Sequence, residues 1–192
     1  MGNIYSALIF LTNTILDLYI LIVMLRVILQ WVGAKFYNPI TQLIVKLTNP
    51  VIIPLRRILP PFKGIDLASF LVLLILEFIK LVLIIYLSVG TLPGIFGLVV
   101  IAFGELLDVI LDIFFFAILI NVIISWVNPM SSSPVNEILY LITEPLLKPI
   151  RKIIPPIAGF DLSPIPALII LQLCAMLITS PLINIGRGLA LA

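Results

Sequence analysis

The chain has 192 residues, of which 62% are hydrophobic and only 10% are charged, and its mean hydropathy is +1.33. Soluble domains carry about 25% charged residues, so this composition excludes a soluble globular domain and indicates a lipid bilayer as the solvent. A net charge of +2 is too small and too dispersed for nucleic-acid binding, and the absence of histidine removes the commonest general base and metal ligand.

Four apolar stretches are long enough to cross the hydrocarbon core of a bilayer, which needs about 20 residues. They cover approximately residues 4–32, 67–89, 97–127 and 165–183. The N-terminal stretch has no basic residue before it and continues past signal-peptide length, so we expect no cleaved signal. The sequence therefore predicts an all-α membrane protein with four transmembrane helices.

The two halves of the chain are related by an internal repeat with an offset of 95 residues. Ten of the twenty positions between residues 48 and 67 are identical to those between 143 and 162, with the shared pattern T-x-P-x3-P-x-R-x-I-x-P-P-x2-G-x-D-L. Prolines, a glycine, an arginine and an aspartate dominate these identities, and such residues need specific backbone or charge environments. We therefore predict two tandem repeats, residues 1–94 and 95–192.

The distribution of basic residues predicts the orientation. Each repeat contains two spans, so both repeats enter the membrane in the same direction and run parallel. The basic residues concentrate between the two spans of each repeat: Lys35, Lys46, Arg56, Arg57 and Lys63 in the first, and Lys148, Arg151 and Lys152 in the second. By the positive-inside rule these segments face the cytoplasm and both termini lie outside.

The segments between the spans carry the pattern of a helix lying in the membrane interface. Apolar residues recur at helical spacing in residues 40–47 and 135–142, and Pro39 and Pro134 suit a first helical turn. Each segment has two further prolines that we expect to interrupt this helix: Pro50 and Pro54, and Pro145 and Pro149. We predict two short helices in each segment, forming a shallow interfacial or re-entrant hairpin.

Four basic residues near the end of these hairpins are candidates for binding anionic lipid headgroups: Arg56, Arg57, Arg151 and Lys152. Each charge of this kind near the membrane surface contributes about 1 kcal/mol to the attraction. Two alternatives remain open. The charges either only set the topology and anchor the hairpin, or they form a docking surface for a cytoplasmic partner.

Ionisable residues within the spans are the second group of candidates, because charges in lipid are costly and usually functional. At a rise of about 1.5 Å per residue, Asp17, Lys80 and Asp112 lie roughly 20 Å from the cytoplasmic ends of their helices, and Glu77 lies roughly 15 Å from its end. Glu77 and Lys80 are spaced i, i+3 and can pair. We therefore predict a mid-membrane cluster of these four residues.

This cluster has three interpretations: a polar clamp between helices, a path for ions or protons, or a contact with an oligomer partner. Only the aspartates, Asp17 and Asp112, occur in both repeats. Arg26 is too close to the helix end to belong to the cluster and is expected to extend to the interface, while Glu105 and Asp108 are placed nearer the outer surface.

The sequence contains no recognisable catalytic motif. The chain has no P-loop, no nucleophile elbow and no H-E-x-x-H motif, and its single cysteine, Cys174, excludes an internal disulfide. We therefore expect no enzymatic activity, no cofactor and no metal site.

The motif residues of both repeats resemble those of the YggT family of bacterial membrane proteins, called YlmG in Gram-positive bacteria and plastids. The matching positions of the first repeat are Asn38, Pro39, Pro54, Arg56, Arg57, Pro60, Gly64 and Asp66. Those of the second repeat are Ser133, Pro134, Pro149, Arg151, Lys152, Pro155, Gly159 and Asp161. Ser133 replaces the asparagine and Lys152 replaces the second arginine. The resemblance covers nearly the whole chain.

The resemblance implies a multi-pass protein of the bacterial inner membrane. Members of the family have been connected with osmotic-stress tolerance, with envelope or division-site organisation and nucleoid distribution, and in plastids with cytochrome b6 maturation. Haem handling does not carry over, because this chain has no histidine.

Taken with the composition, the resemblance predicts a non-enzymatic membrane organisation or assembly factor, linked to osmotic stress or cell division. Its expected partners are membrane lipids, a membrane protein or a second copy of itself, and not nucleic acid. The alternative is a small ion channel or transporter component that uses Asp17 and Asp112.

Overall fold

The computed structural model describes residues 2–61, 66–127, 133–156 and 161–191, which form helices and connecting segments without a strand. The first half of the chain contributes α1 (Gly2–Trp31), α2 (Pro39–Arg56) and α3 (Leu67–Val89). The second half contributes α4 (Ile95–Val127), α5 (Pro134–Ile153), α6 (Pro164–Cys174) and α7 (Ser180–Leu191). A π-helical turn, Ala175–Thr179, joins α6 to α7 without a break.

Four helical segments are long and apolar enough to cross a membrane: Ile4–Trp31, Leu67–Val89, Ile95–Val127 and Pro164–Leu191. They confirm the all-α architecture with four apolar spans and indicate a multi-pass membrane protein. The last segment continues to Leu191, whereas the sequence predicted an end near residue 183. Gly186, Arg187 and Gly188 lower the hydropathy there, but packing against α4 keeps the helix intact.

The helices α2 and α5 are each a single helix, so the predicted pair of short helices in each segment is wrong. Both pairs of prolines lie inside a helix: Pro50 and Pro54 in α2, and Pro145 and Pro149 in α5. A proline inside a helix removes a backbone hydrogen bond and bends the axis without necessarily ending it. Ile52 and Leu147 lie between the prolines and are buried, which holds each helix against the bundle beyond the first proline.

The N-terminal caps form where the sequence places them. Asn38 Oδ1 accepts a hydrogen bond from the backbone N–H of Ile40 at 3.0 Å, and Ser133 Oγ accepts one from Asn136 at 3.2 Å. Pro39 and Pro134 occupy the first turns of α2 and α5, where a missing N–H costs nothing. The two helices therefore begin at defined points.

The bundle has one main apolar core, to which both halves contribute. Within the first half α1 packs against α3, and within the second half α4 packs against α7. Buried residues of α1, α3 and α4, such as Val23, Leu73 and Ile118, meet in the core between the halves. The connection from α3 to α4 lies at the end of the bundle opposite α2 and α5, where Gly90 ends α3 with a positive φ of 79°.

The helices α4 and α7 approach closely at small residues. A Cβ atom on Gly97 would lie 2.2 Å from the backbone nitrogen of Ala190, and one on Gly186 would lie 2.8 Å from that of Ile101. The backbone N–H of Gly94 also donates a hydrogen bond of 2.9 Å to the carbonyl of Ala190. Lipid provides no hydrophobic force between helices, so close backbone packing at small residues is a main source of their association.

We expect Gly97→Ala to destabilise the protein by about 1–3 kcal/mol, because the added methyl group overlaps the backbone of α7. Gly188→Ala is the matched control, because a Cβ atom there meets nothing within 4 Å. Thermal unfolding of the purified protein in detergent should show a lower midpoint for the first variant only. Equal midpoints would contradict the close packing.

Candidate functional site

The motif arginine and aspartate of each half form an ion pair. In the first half, Arg56 Nη2 lies 2.5 Å from Asp66 Oδ2, so the end of α2 is tied to the start of α3. In the second half, Arg151 Nε lies 2.9 Å from Asp161 Oδ2 and ties α5 to the residues that precede α6. The motif glycines, Gly64 and Gly159, lie outside the described residues. These ion pairs explain why the motif keeps one arginine and one aspartate at the same spacing in both halves.

Both motif aspartates are held in the ionised form. Burial raises the pKa of Asp66, but hydrogen bonds from Arg56 and Ser69 and the charge of Arg56 outweigh it, so the pKa lies below its ordinary value. The pKa of Asp161 is lowered in the same way, with hydrogen bonds from Ser163 and Arg151 exceeding the effect of burial. Each pair is therefore a permanent structural clamp at neutral pH.

The four basic residues predicted to bind lipid or a partner divide into two classes. Arg56 and Arg151 are held by their own aspartates, and Arg151 Nη1 also lies 2.6 Å from Glu144 Oε2. Arg57 and Lys152 are exposed and form no ion pair with any residue that the structure describes. Only the second class is available to an external anion without breaking an internal contact.

The motif threonines hold each span against the helix that follows it. Thr48 Oγ1 accepts a hydrogen bond of 2.6 Å from Arg26 of α1, and Thr143 Oγ1 accepts one of 3.3 Å from Asn121 of α4. Arg26 extends as far as α2, but at 5% exposure its guanidinium group ends beneath that helix and does not reach water. It lies under α2, where Asn49 Oδ1 accepts a second hydrogen bond of 2.9 Å.

Asn38 links the start of α2 in the first half to the start of α5 in the second. Asn38 Nδ2 donates to the carbonyl oxygen of Pro134 and to Glu137 Oε2, at 2.9 Å each, while its Oδ1 caps α2. Tyr37 adds a hydrogen bond of 3.1 Å from its hydroxyl to Glu137 Oε1. The starts of α2 and α5 are therefore fixed to each other, a contact that sequence spacing alone does not reveal.

Inside the bundle, Lys80 binds three carboxylates. Its Nζ lies 2.9 Å from Asp17 Oδ1, 2.7 Å from Glu77 Oε1 and 2.7 Å from Glu105 Oε2. The structure thus brings Lys80 together with Asp17 and Glu77, as the predicted cluster requires. Glu105 takes part although its sequence position placed it nearer the outer surface. It lies about as far from the start of α4 (Ile95) as Lys80 lies from the end of α3 (Val89), and these two helix ends adjoin at the α3–α4 connection.

Asp112 does not contact Lys80 but lines the same cavity. This cavity has a volume of about 550 Å³ between α1, α3, α4 and α7. Its charged lining residues are Asp17, Lys80, Glu105, Asp108, Asp112 and Arg187. Asp108 is fixed to the π-helical turn, because its Oδ1 lies 2.7 Å from the hydroxyl of Thr179. Four acidic and two basic side chains therefore line one cavity, which opens to the outside of the bundle at the exposed Asp17 and Arg187.

Nothing in the described part of the chain resembles a metal centre. No group of three or more His, Cys, Asp or Glu residues there has the arrangement of a metal site, and the carboxylates around Lys80 are held by its ammonium group. The cluster of Lys80 with its three carboxylates can hold charges and screen them within a low-dielectric region.

We expect Asp66→Asn to destabilise the protein by about 1–3 kcal/mol, since it removes the negative charge beside Arg56 and replaces the oxygen that accepts from Arg56 and Ser69 with an NH2 donor. Asp161→Asn should cost less, because Arg151 keeps Glu144. The low pKa of Asp66 also makes its contribution full above about pH 4 and lost as pH falls through the folded-state pKa. Unfolding midpoints measured from pH 7 to pH 3 should fall less steeply for Asp66→Asn than for the wild type; parallel curves would contradict the clamp.

Comparison with known proteins agrees with the repeated architecture of this site. The family model described as CCB3/YggT matches the chain twice, at residues 5–87 and 100–182. The two matches begin 95 residues apart (100 − 5), which is the offset between the paired motifs. No solved structure matches the chain.

Several bacterial relatives match over most of their length. An uncharacterised protein of Pseudomonas aeruginosa is 43% identical over 183 residues, covering 95% of this chain and 93% of the relative. The uncharacterised protein YggT of Escherichia coli K12 is 39% identical over 173 residues, covering 89% and 88%. An uncharacterised protein of Vibrio alginolyticus is 43% identical over 166 residues, covering 85% and 88%. With its paired motif clamps and both family matches in place, this chain belongs to the CCB3/YggT family.

Proposed function

We propose that this protein is a non-enzymatic organising or assembly factor of the bacterial inner membrane. The observation that carries the proposal is that helices α2 and α5 are linked to each other and carry exposed cations. These cations are distinct from the motif residues Arg56 and Arg151, whose charges are paired within the protein. We name these two helices and Arg57 the basic platform. Its exposed cations are Lys46, Arg57, Lys148 and Lys152. In this proposal the basic platform faces the cytoplasm and both termini lie outside.

The basic platform has the character of an interfacial surface. On α2, the exposed Leu43 and Leu47 flank Lys46, so apolar and cationic side chains occur together on the outer face. Helices of this kind lie with apolar residues at the acyl boundary and cations among the headgroups. Four cations, at about 1 kcal/mol each, favour anionic over neutral lipid around the protein.

Rigidity distinguishes the basic platform from a loose amphipathic segment. The hydrogen bonds from Asn38 fix α2 to α5 at one end, and the clamps Arg56–Asp66 and Arg151–Asp161 fix each helix at the other. A rigid, lipid-bound surface can position neighbouring membrane proteins, which is the role that the proposal assigns to it. The family resemblance supports a link to osmotic-stress tolerance or cell division.

The test removes the platform charges without touching the clamps. The neutral variant combines four substitutions: Lys46→Gln, Arg57→Gln, Lys148→Gln and Lys152→Gln. The enrichment of labelled phosphatidylglycerol around the protein is measured in mixed vesicles with phosphatidylcholine, by energy transfer from a dye on the protein. The neutral variant should lose this enrichment. Cross-linking in cells followed by purification should recover fewer membrane-protein partners.

The matched control keeps every charge and changes only the side chains: Lys46→Arg, Arg57→Lys, Lys148→Arg and Lys152→Arg. It should behave as the wild type. Unchanged lipid enrichment and an unchanged set of cross-linked proteins in the neutral variant would rule out the basic platform as the working surface. Arg56→Ala and Arg151→Ala are unsuitable for this purpose, because they break the clamps.

A small ion channel or transporter component is the second candidate, favoured by the charged cavity. Glu77 is fully buried, and its Oε2 has no hydrogen-bond partner among the residues described. A carboxylate in that position can take up a proton or face a cation, and the excess of acidic groups around Lys80 would attract either one.

Proteoliposomes separate this candidate from the first. Glu77→Gln introduces the glutamine that the second half carries at the equivalent position, Gln172, and Asp112→Asn neutralises the cavity wall. If the cavity conducts, both variants should reduce proton or sodium flux at least about tenfold while the protein remains folded. Wild-type protein that passes no ions above empty liposomes would exclude transport by this chain alone.

A further inference from the structure

A second cavity, between α1 and α2, has a positively charged lining. Its volume is about 490 Å³, within the roughly 300–1,000 Å³ range of small-ligand sites. Arg26 and Arg56 line it together with Gln30, Thr41 and Asn49. This cavity belongs to the first half of the chain and is separate from the acidic cavity around Lys80.

The charges around this cavity do not balance. Arg26 is 5% exposed, and its hydrogen bonds go to the uncharged oxygen atoms of Thr48 and Asn49. No acidic side chain forms an ion pair with it anywhere in the described ranges, and the nearby Asp66 is paired with Arg56. Two arginines and one aspartate leave one positive charge, that of the buried Arg26, without a counter-ion among the described residues. Burial of such a charge is costly unless an anion accompanies it.

A polar group in the lining also lacks a partner. Thr41 is buried, and its Oγ1 forms no hydrogen bond with any described residue. A hydroxyl in this position can donate to an oxyanion, as the guanidinium groups of Arg26 and Arg56 can. From the uncompensated charge and the unpaired hydroxyl together, we propose that this cavity binds a phosphate group, carried by an anionic lipid or by free phosphate.

In the second half, the equivalent arginine charge is balanced by carboxylates of the chain itself. Asn49 corresponds to Glu144 at the 95-residue offset, and Glu144 Oε2 lies 2.6 Å from Arg151 Nη1. Arg26 corresponds to the uncharged Asn121. The second half therefore has one arginine with two carboxylates, whereas the first has two arginines with one. Only the first half needs an external anion.

This inference is independent of the proposed function, because it concerns an internal cavity rather than the exposed cations of the basic platform. The neutral platform variant should keep the cavity site, and a cavity variant should keep the general lipid enrichment. The two proposals can therefore be rejected separately.

The decisive variant is Asn49→Glu, which gives the first half the carboxylate that the second half already has. The full-length protein is purified in detergent, and its retention of phosphatidylglycerol against phosphatidylcholine is measured by native mass spectrometry. Asn49→Glu should retain one phosphatidylglycerol fewer than the wild type, or bind it at least about tenfold more weakly, while its unfolding midpoint is unchanged or higher. Lys35→Gln, which removes an exposed cation that belongs neither to the cavity lining nor to the basic platform, should leave this tightly held lipid in place.

Two arms identify the source of the phosphate. In phosphatidylcholine nanodiscs, added inorganic phosphate should raise the unfolding midpoint if the ligand is a free anion, and added phosphatidylglycerol should do so if it is a lipid. Thr41→Val should weaken either effect, and it leaves both arginines in place. If neither anion stabilises the wild type, or if Asn49→Glu keeps the full effect, the site does not bind phosphate.

Discussion

Charge compensation without water is the constraint on which this structure depends. A charge inside a bilayer, or beneath an interfacial helix, has to find its partner within the chain or bring one from outside. The clamps Arg56–Asp66 and Arg151–Asp161 satisfy the motif charges, and Lys80 gathers carboxylates from three spans. The positions of the helices relative to one another follow from these contacts as much as from the apolar core.

The sequence was sufficient to predict what depends on composition and local pattern. Four spans, the caps at Asn38 and Ser133 and the pairing of Glu77 with Lys80 follow from hydropathy, turn chemistry and helical spacing. The sequence did not predict the features that depend on packing between residues far apart in the chain. The prolines in α2 and α5 lie inside their helices without ending them, and Glu105 of α4 reaches Lys80 of α3. Neither fact has a local signal.

The candidate functional cations fall into two groups: those already paired with a carboxylate of the chain and those that are not. Arg56 and Arg151 carry the family motif, yet their role in this structure is to hold helices together. The exposed Arg57 and Lys152 and the buried, uncompensated Arg26 are among the cations that remain open to an external partner. Motif membership does not separate the two members of each Arg-Arg or Arg-Lys pair, whereas their ion pairs do.

The contact of Asn38 with Pro134 and Glu137 has a consequence for the equivalence of the two halves. Its two sides are different: the first half supplies an amide, and the second supplies a carboxylate where the first has Gln42. Two first halves would bring two asparagines together with no carboxylate between them, and two second halves would lack the amide. The contact is therefore asymmetric: each half supplies a different member of it, and exchanging one half for a copy of the other would not reproduce the hydrogen bond from Asn38 to Glu137.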